Sequence, residues 1–217
     1  MFPDFICPDK TCRGCSRLVS FLEKNRVLYP DFFNAPVPSF GDLDAELLIV
    51  GLAPGLKGAN RTGRPFTGDF AGDLLYGHLY DFGFLTGTYQ ARPDDGIRLV
   101  NARLTNAVRC VPPENKPNGQ EVKACGKFLK QEIEAMPNLK VILVLGGLAH
   151  NAVLSVLGQR KTAFKFAHNA LHTFDRNGRT IRLLDTYHTS RYNVNTGKLT
   201  PEMFTAVFRT LSGIVKN

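Results

Sequence analysis

Residues 47–69 read LLIVGLAPGLKGANRTGRPFTGD, and this stretch decides the fold. Its first part, Leu47–Gly51, is an unbroken apolar run that stops at a glycine, as a strand buried on both faces of a parallel sheet would. The remainder is a polar loop punctuated by Gly55, Gly58, Gly63 and Gly68 and carrying Lys57, Arg61 and Arg64. Further along, VILVLG at 141–146 repeats the pattern of a strand ending in glycine, and residues 97–100 and 181–184 are weaker strands of the same kind. Helical spacing runs over 72–82, 120–136, 148–157 and 201–215. The last of these opens on Thr200-Pro201-Glu202, a cap followed by proline and an acid. Strands alternating with helices predict a layered α/β fold whose four strands form one mainly parallel sheet. Ligands in such folds lie beyond the carboxyl ends of the strands. A site is therefore expected in the loops after Gly51, Val100, Gly146 and Leu184.

The chain has 217 residues, 43% of them apolar, enough to bury roughly 70% of the unfolded surface without disulfides. No repeat, linker or low-complexity segment divides it, so residues 1–217 read as one domain. No apolar run approaches the roughly 20 residues of a membrane span. The first residues, MFPDFICPDK, carry acids and prolines where a secretion signal would be basic and apolar. Both features predict a cytoplasmic protein without a membrane partner. Twenty-seven Lys and Arg against nineteen Asp and Glu leave a net charge of +8. That surplus is equally compatible with a polyanionic partner and with a merely basic surface.

Five cysteines, Cys7, Cys12, Cys15, Cys110 and Cys125, are an odd number for a disulfide framework. Cys12-x-x-Cys15 is one pair; the loop and helix start CVPPENKPNGQEVKAC carries Cys110 and Cys125. Fifteen positions is wide for a zinc ribbon, whereas an iron–sulfur cluster needs only four converging thiolates. From spacing alone a cluster, zinc and ordinary reduced thiols all stay open, with Cys7 the bystander. The glycine loop matches neither nucleotide-binding fingerprint. Phe66 in it reads as a loop anchor or as a face for a stacked base, and Asp69 as the cap of the following helix.

The order of these motifs resembles the iron–sulfur branch of the uracil-DNA glycosylase superfamily over nearly the whole chain. The matching segments are CRGCSRLV, GLAPG…GANRTGRPFTGD, TNAVRCVPPENKP…E…C and YHTSRYNVNTGKLTPEMF. Within that branch it is similar to family 5, also called type B, because Leu52 stands where family 4 enzymes carry an acid. Thr189 follows His188 where the superfamily commonly reads His-Pro-Ser, which implies altered loop stiffness with Ser190 retained.

The resemblance implies a three-layer α/β/α fold and a monomeric, monofunctional DNA-repair glycosylase that hydrolyses the N-glycosidic bond of uracil and other deaminated or damaged bases. It implies that Gly51, Phe66 and Asn106 bind the extruded base. Asp69 would position water or stabilise the cationic sugar, with Asp73 its rival, and His188 would donate to the leaving base. Arg61, Arg64, Arg191, Tyr192 and Asn193 would meet DNA, and Cys12, Cys15, Cys110 and Cys125 would hold a [4Fe-4S] cluster. His150, His168 and His172 read as structural or surface groups. Competing readings are a family 4 uracil-specific enzyme, a non-catalytic nucleic-acid-binding module with a structural metal, and an electron carrier. Hypoxanthine cleavage separates the first from family 5, and an abasic product after alkali separates the second. A redox carrier would need neither the basic surplus nor a base-stacking loop.

Overall fold

In the computed structural model, which describes residues 7–176 and 178–216, the chain runs α1 (Ser16–Leu28), β1 (Leu47–Gly51), α2 (Ala59–Thr62), α3 (Phe70–Asp81), β2 (Leu85–Thr86), β3 (Arg98–Leu99), β4 (Ala102–Asn106), α4 (Gly119–Ala135), β5 (Val141–Leu145), α5 (Gly147–Val156), β6 (Leu171–Arg176), β7 (Arg179–Thr186), α6 (Arg191–Asn195) and α7 (Pro201–Val215). Residues 1–6, part of the N-terminal segment read for a signal, lie outside the described range.

The main sheet has the order β4-β1-β5-β7-β6. The first four strands are parallel and β6 pairs antiparallel with β7. The expected four-stranded parallel sheet is present, extended by a fifth strand at the edge. In β1, Leu47 and Ile49 face one core with Leu75 and Leu79 of α3 and Phe204 and Phe208 of α7. Leu48 and Val50 face the other, with Leu129 and Ile133 of α4 and Val153 of α5. Period-2 alternation within an all-apolar run thus buries both faces and produces three layers.

One expected strand is displaced. Residues 97–100 supply only β3, which pairs with β2 in a separate two-stranded sheet, and the sheet strand is β4. Arg103 and Thr105 interrupt its apolar pattern, yet both bond the buried Glu132 of α4 at 2.7 and 2.9 Å. Three of the longer helices start where side chains take up free backbone donors. Asp69 caps α3, Asn118 and Glu121 form a capping box on α4, and Thr200 caps α7. The chain steps from β1 to β4 on one side and then to β5 on the other, so the strand order reverses between β1 and β5. A crevice opens at that reversal.

Candidate active site

A cleft of about 580 Å³ lies at this reversal, floored by the residues that follow β1, β4, β5 and β7. Gly51 ends β1 directly beside Asn106, which ends β4. A Cβ at Gly51 would stand 2.5 Å from Asn106 Oδ1 and 2.6 Å from Phe66 Cζ, so only glycine lets the amide and the ring meet over that strand end. Phe66 holds a left-handed backbone, φ 52°, a conformation that costs energy for a bulky residue. Its surroundings enforce it. Gly72 admits the Phe66 carbonyl where a Cβ would come within 1.7 Å, and the Tyr89 hydroxyl donates to that same oxygen at 3.4 Å.

Asp69 lines the cleft. Its Oδ1 accepts the Gly72 N–H at 3.1 Å, while Oδ2 lies against the glycine loop, 2.2 Å from a Cβ built at Gly58 and 3.2 Å from one at Gly55. Burial pushes its carboxyl above the ordinary range; the Gly72 N–H and nearby His188 pull partly the other way. Asp73 is exposed and lies outside the cleft. His188 faces Asp69 from the end of β7, and its ring has no hydrogen-bond partner among the described residues. Burial pushes its imidazole below 6.5, against a smaller opposing pull from Asp69. Gly146, at φ +96°, leaves space for His188, whose Cβ stands 3.4 Å from where a Gly146 Cβ would be. The cleft thus gathers an amide, an aromatic ring, a carboxylate and a neutral imidazole.

The DNA-contact candidates divide. Arg61 is exposed, its Nε donating to the Lys57 carbonyl at 2.8 Å. Arg191 is exposed over the Phe70 ring at 5.4 Å, on the cleft rim. Tyr192 projects with 74% exposure. Asn193 turns inward and donates to the His188 carbonyl at 2.8 Å, so its amide fastens the loop. Arg64 corrects the sequence reading. Its side chain is 6% exposed and meets both Asp95 oxygens at 2.7 and 2.8 Å. Its Nε donates to Thr67, and Phe40, Tyr76 and Tyr89 surround it. With its charge consumed inside, Arg64 shapes the loop that carries Phe66 and is not available to a phosphate.

The cysteines converge. Cys15, Cys110 and Cys125 pack around Leu18 and Val108 in a small third core, and Arg109 donates its backbone N–H to Cys125 Sγ at 3.4 Å. Burial, then the neighbouring Cys125, Cys12, Cys15 and Cys7, raises the Cys110 thiol. Cys7, read as the bystander of a four-thiolate site, is the last of the groups that act on Cys110. Cys12, Cys15, Cys110 and Cys125 are of the kind and number that a [4Fe-4S] cluster requires. Apart from them, the ligand atoms of His150, His172 and Asp185 lie within 4.8 Å of one another. The His150 group is met by hydrogen bonds: Nε2 donates to the Phe164 carbonyl at 2.9 Å and Nδ1 meets Asp185 at 2.7 Å. Of the two readings that the sequence leaves for His150, structural or surface, the structural one holds, through an Asp185 that lies 35 positions away.

A family model described as Uracil DNA glycosylase superfamily matches residues 38–212. The chain belongs to that superfamily. It is 44% identical over 201 residues to a type-5 uracil-DNA glycosylase of Thermus thermophilus, covering 90% of each chain. A type-5 enzyme of Pyrobaculum aerophilum is 38% identical over 212 residues, covering 96% of this chain and 91% of the relative. A type-4 uracil-DNA glycosylase of Archaeoglobus fulgidus is 29% identical over 187 residues, covering 85% and 79%. No helix of the described residues is long and apolar enough to cross a membrane.

Proposed function

We propose that this chain is a type-5 DNA-repair glycosylase, a hydrolase that removes uracil and other deaminated bases from DNA through the cleft at the ends of β1, β4, β5 and β7. The observation that carries the reading is the meeting of Asn106, Phe66, Asp69 and His188 around one cleft. An extruded base stacks on Phe66 and presents its Watson–Crick edge to the Asn106 amide, which offers both a donor and an acceptor. As the bond from C1′ to the base nitrogen lengthens, negative charge builds on the base. Neutral His188 donates a hydrogen bond to its oxygen, an interaction worth about 10²–10³ in rate. Asp69 orients a water toward C1′ and takes its proton as the new carbon–oxygen bond forms, leaving an abasic sugar and the free base.

Arg61 and Arg191 contact phosphates, Tyr192 enters the space the base vacates, and Asn193 positions the loop beneath them. Cys12, Cys15, Cys110 and Cys125 hold a [4Fe-4S] cluster. The cluster supplies four metal–thiolate bonds that tie the N-terminal segment to the start of α4, and no step of the cleavage passes through it. The protein acts as a monomer of one domain, residues 1–217, in the cytoplasm. Incubation with a uracil-containing oligonucleotide followed by alkali should yield a nicked strand, while a strand of undamaged bases stays intact. An intact strand at every enzyme concentration overturns the reading.

A further inference from the structure

A second hollow, of about 850 Å³, runs between α4 and α5. The two helices approach closely because Gly126 lacks a side chain: a Cβ there would stand 3.1 Å from Val156 Cγ1. On one rim Lys123, Lys127 and Lys130 recur at the spacing that places residues on a single helix face. Lys161, beyond the end of α5, also lines the hollow. All four are exposed, and no Asp or Glu among the described residues lines the hollow. Lys130 has an acidic neighbour, Glu134, at 4.0 Å and itself solvent-exposed. Asn151 and Ser155 add polar groups from α5.

The hollow is not separate from the active-site cleft. Leu52 and Leu148 line both, and Leu148 is 65% exposed, an apolar side chain standing at the junction. We propose that this furrow is a track for the phosphodiester backbone of the DNA strand that continues away from the extruded nucleotide. The proposal rests on the glycosylase reading above and extends it from the base to the flanking strand. Lysines seven positions apart along a helix span about 10 Å, enough for the row to meet more than one phosphate of a strand laid along it, each contact releasing counterions. A row of cations with no acid between them suits a partner that carries a negative charge at every step of its length.

The test uses the full-length protein with Lys123, Lys127 and Lys130 all changed to Gln, on an exposed helix face where folding is undisturbed. Its companion is a triple variant, K24Q/K140Q/K216Q, which removes the same charge from lysines outside both cleft and furrow. Binding to a long uracil-containing strand is measured across a salt series, and base release from a uracil-containing trinucleotide is measured alongside. The furrow variant should bind the long strand at least about tenfold more weakly at low salt. Its slope of log K against log salt should fall in magnitude by about 2, since each lost phosphate contact removes roughly 0.7–0.9. Trinucleotide cleavage should be unchanged. An unaltered slope, or an equal loss in the companion variant, overturns the furrow. Because the slope is read from binding, it decides the furrow even where no base is released. Failure of the wild-type protein to release base from either strand overturns the glycosylase reading instead.

Discussion

Asp69 and Asp73 are four positions apart, and only one of them faces chemistry. Asp69 caps α3 with one oxygen and turns the other to Gly55 and Gly58, while Asp73 points to solvent. Asp69→Asn should therefore lower kcat by about 10²–10⁴ with DNA affinity kept, the range for a lost proton acceptor; Asp73→Asn should leave kcat unchanged. Single-turnover kinetics on uracil DNA separate the two. Burial raises the Asp69 carboxyl, and the mechanism needs it ionised. Activity should thus fall as pH drops through a point above the ordinary carboxylate range. His188 is pushed down by burial, against a smaller pull from Asp69, which favours the neutral imidazole that donates to the base. The sign for stability is the reverse. A carboxyl whose folded pKa is raised binds its proton more tightly when folded, so the ionised group costs stability above that point. Asparagine keeps the cap and removes the cost, so Asp69→Asn should melt no lower than the wild type at neutral pH. The sequence brings Asp69, Phe66, Asn106 and His188 forward as candidates through the resemblance of its motifs to a known family; position alone leaves them as a cap, a loop anchor, a turn residue and a structural histidine. It misplaces Arg64, since nothing local reveals that Asp95, thirty-one positions on, claims both guanidinium nitrogens.

At the scale of elements, the glycine loop is held by contacts that a local pattern does not contain. Burial pushes Asp95 upward, but the Arg64 hydrogen bonds and the Gln90 and Ile97 N–H groups outweigh it and hold the carboxyl at about 2. Its folded pKa is below the unfolded value of about 3.9. The stabilisation is therefore complete above that value and is lost as pH falls through about 2. Asp95→Asn should destabilise the protein by about 3–5 kcal/mol, because a buried guanidinium is left without its counter-charge, and should flatten this acid transition; urea melts at neutral and acid pH measure both. Strand β4 was hidden for a similar reason. Its polar Arg103 and Thr105 look like loop residues until Glu132, also bonded by Arg109 at 2.6 Å, gathers them inside. Edge strand β6, with Phe174 its only buried residue, offered too little apolar signal to be read.

Across the whole molecule, the proposed cluster would add a long-range tie to those of the sheet. Cys12 and Cys15 precede α1, whereas Cys110 and Cys125 flank the loop that opens α4, so a shared cluster would close a ring of nearly a hundred residues. The purified protein should be brown, with broad absorbance near roughly 400 nm and about four irons per chain. Cys110→Ser should lose both the colour and several degrees of melting temperature, whereas Cys7→Ser should retain both. The cysteine positions were plain in the sequence, but their convergence was not, because spacing says nothing about distance between segments so far apart.

The packing around α1 carries a further consequence. Leu18 of that helix shares its small core with Val108 and three of the cysteines, so part of its anchorage, beside the Arg17–Glu121 pair, depends on the thiols being drawn together. When iron is stripped by a chelator, the segment ahead of β1 should become the first point of protease cleavage, while the sheet and its cleft persist. Supply of iron would then govern how much intact enzyme a cell retains, linking genome upkeep to metal nutrition through the durability of one helix.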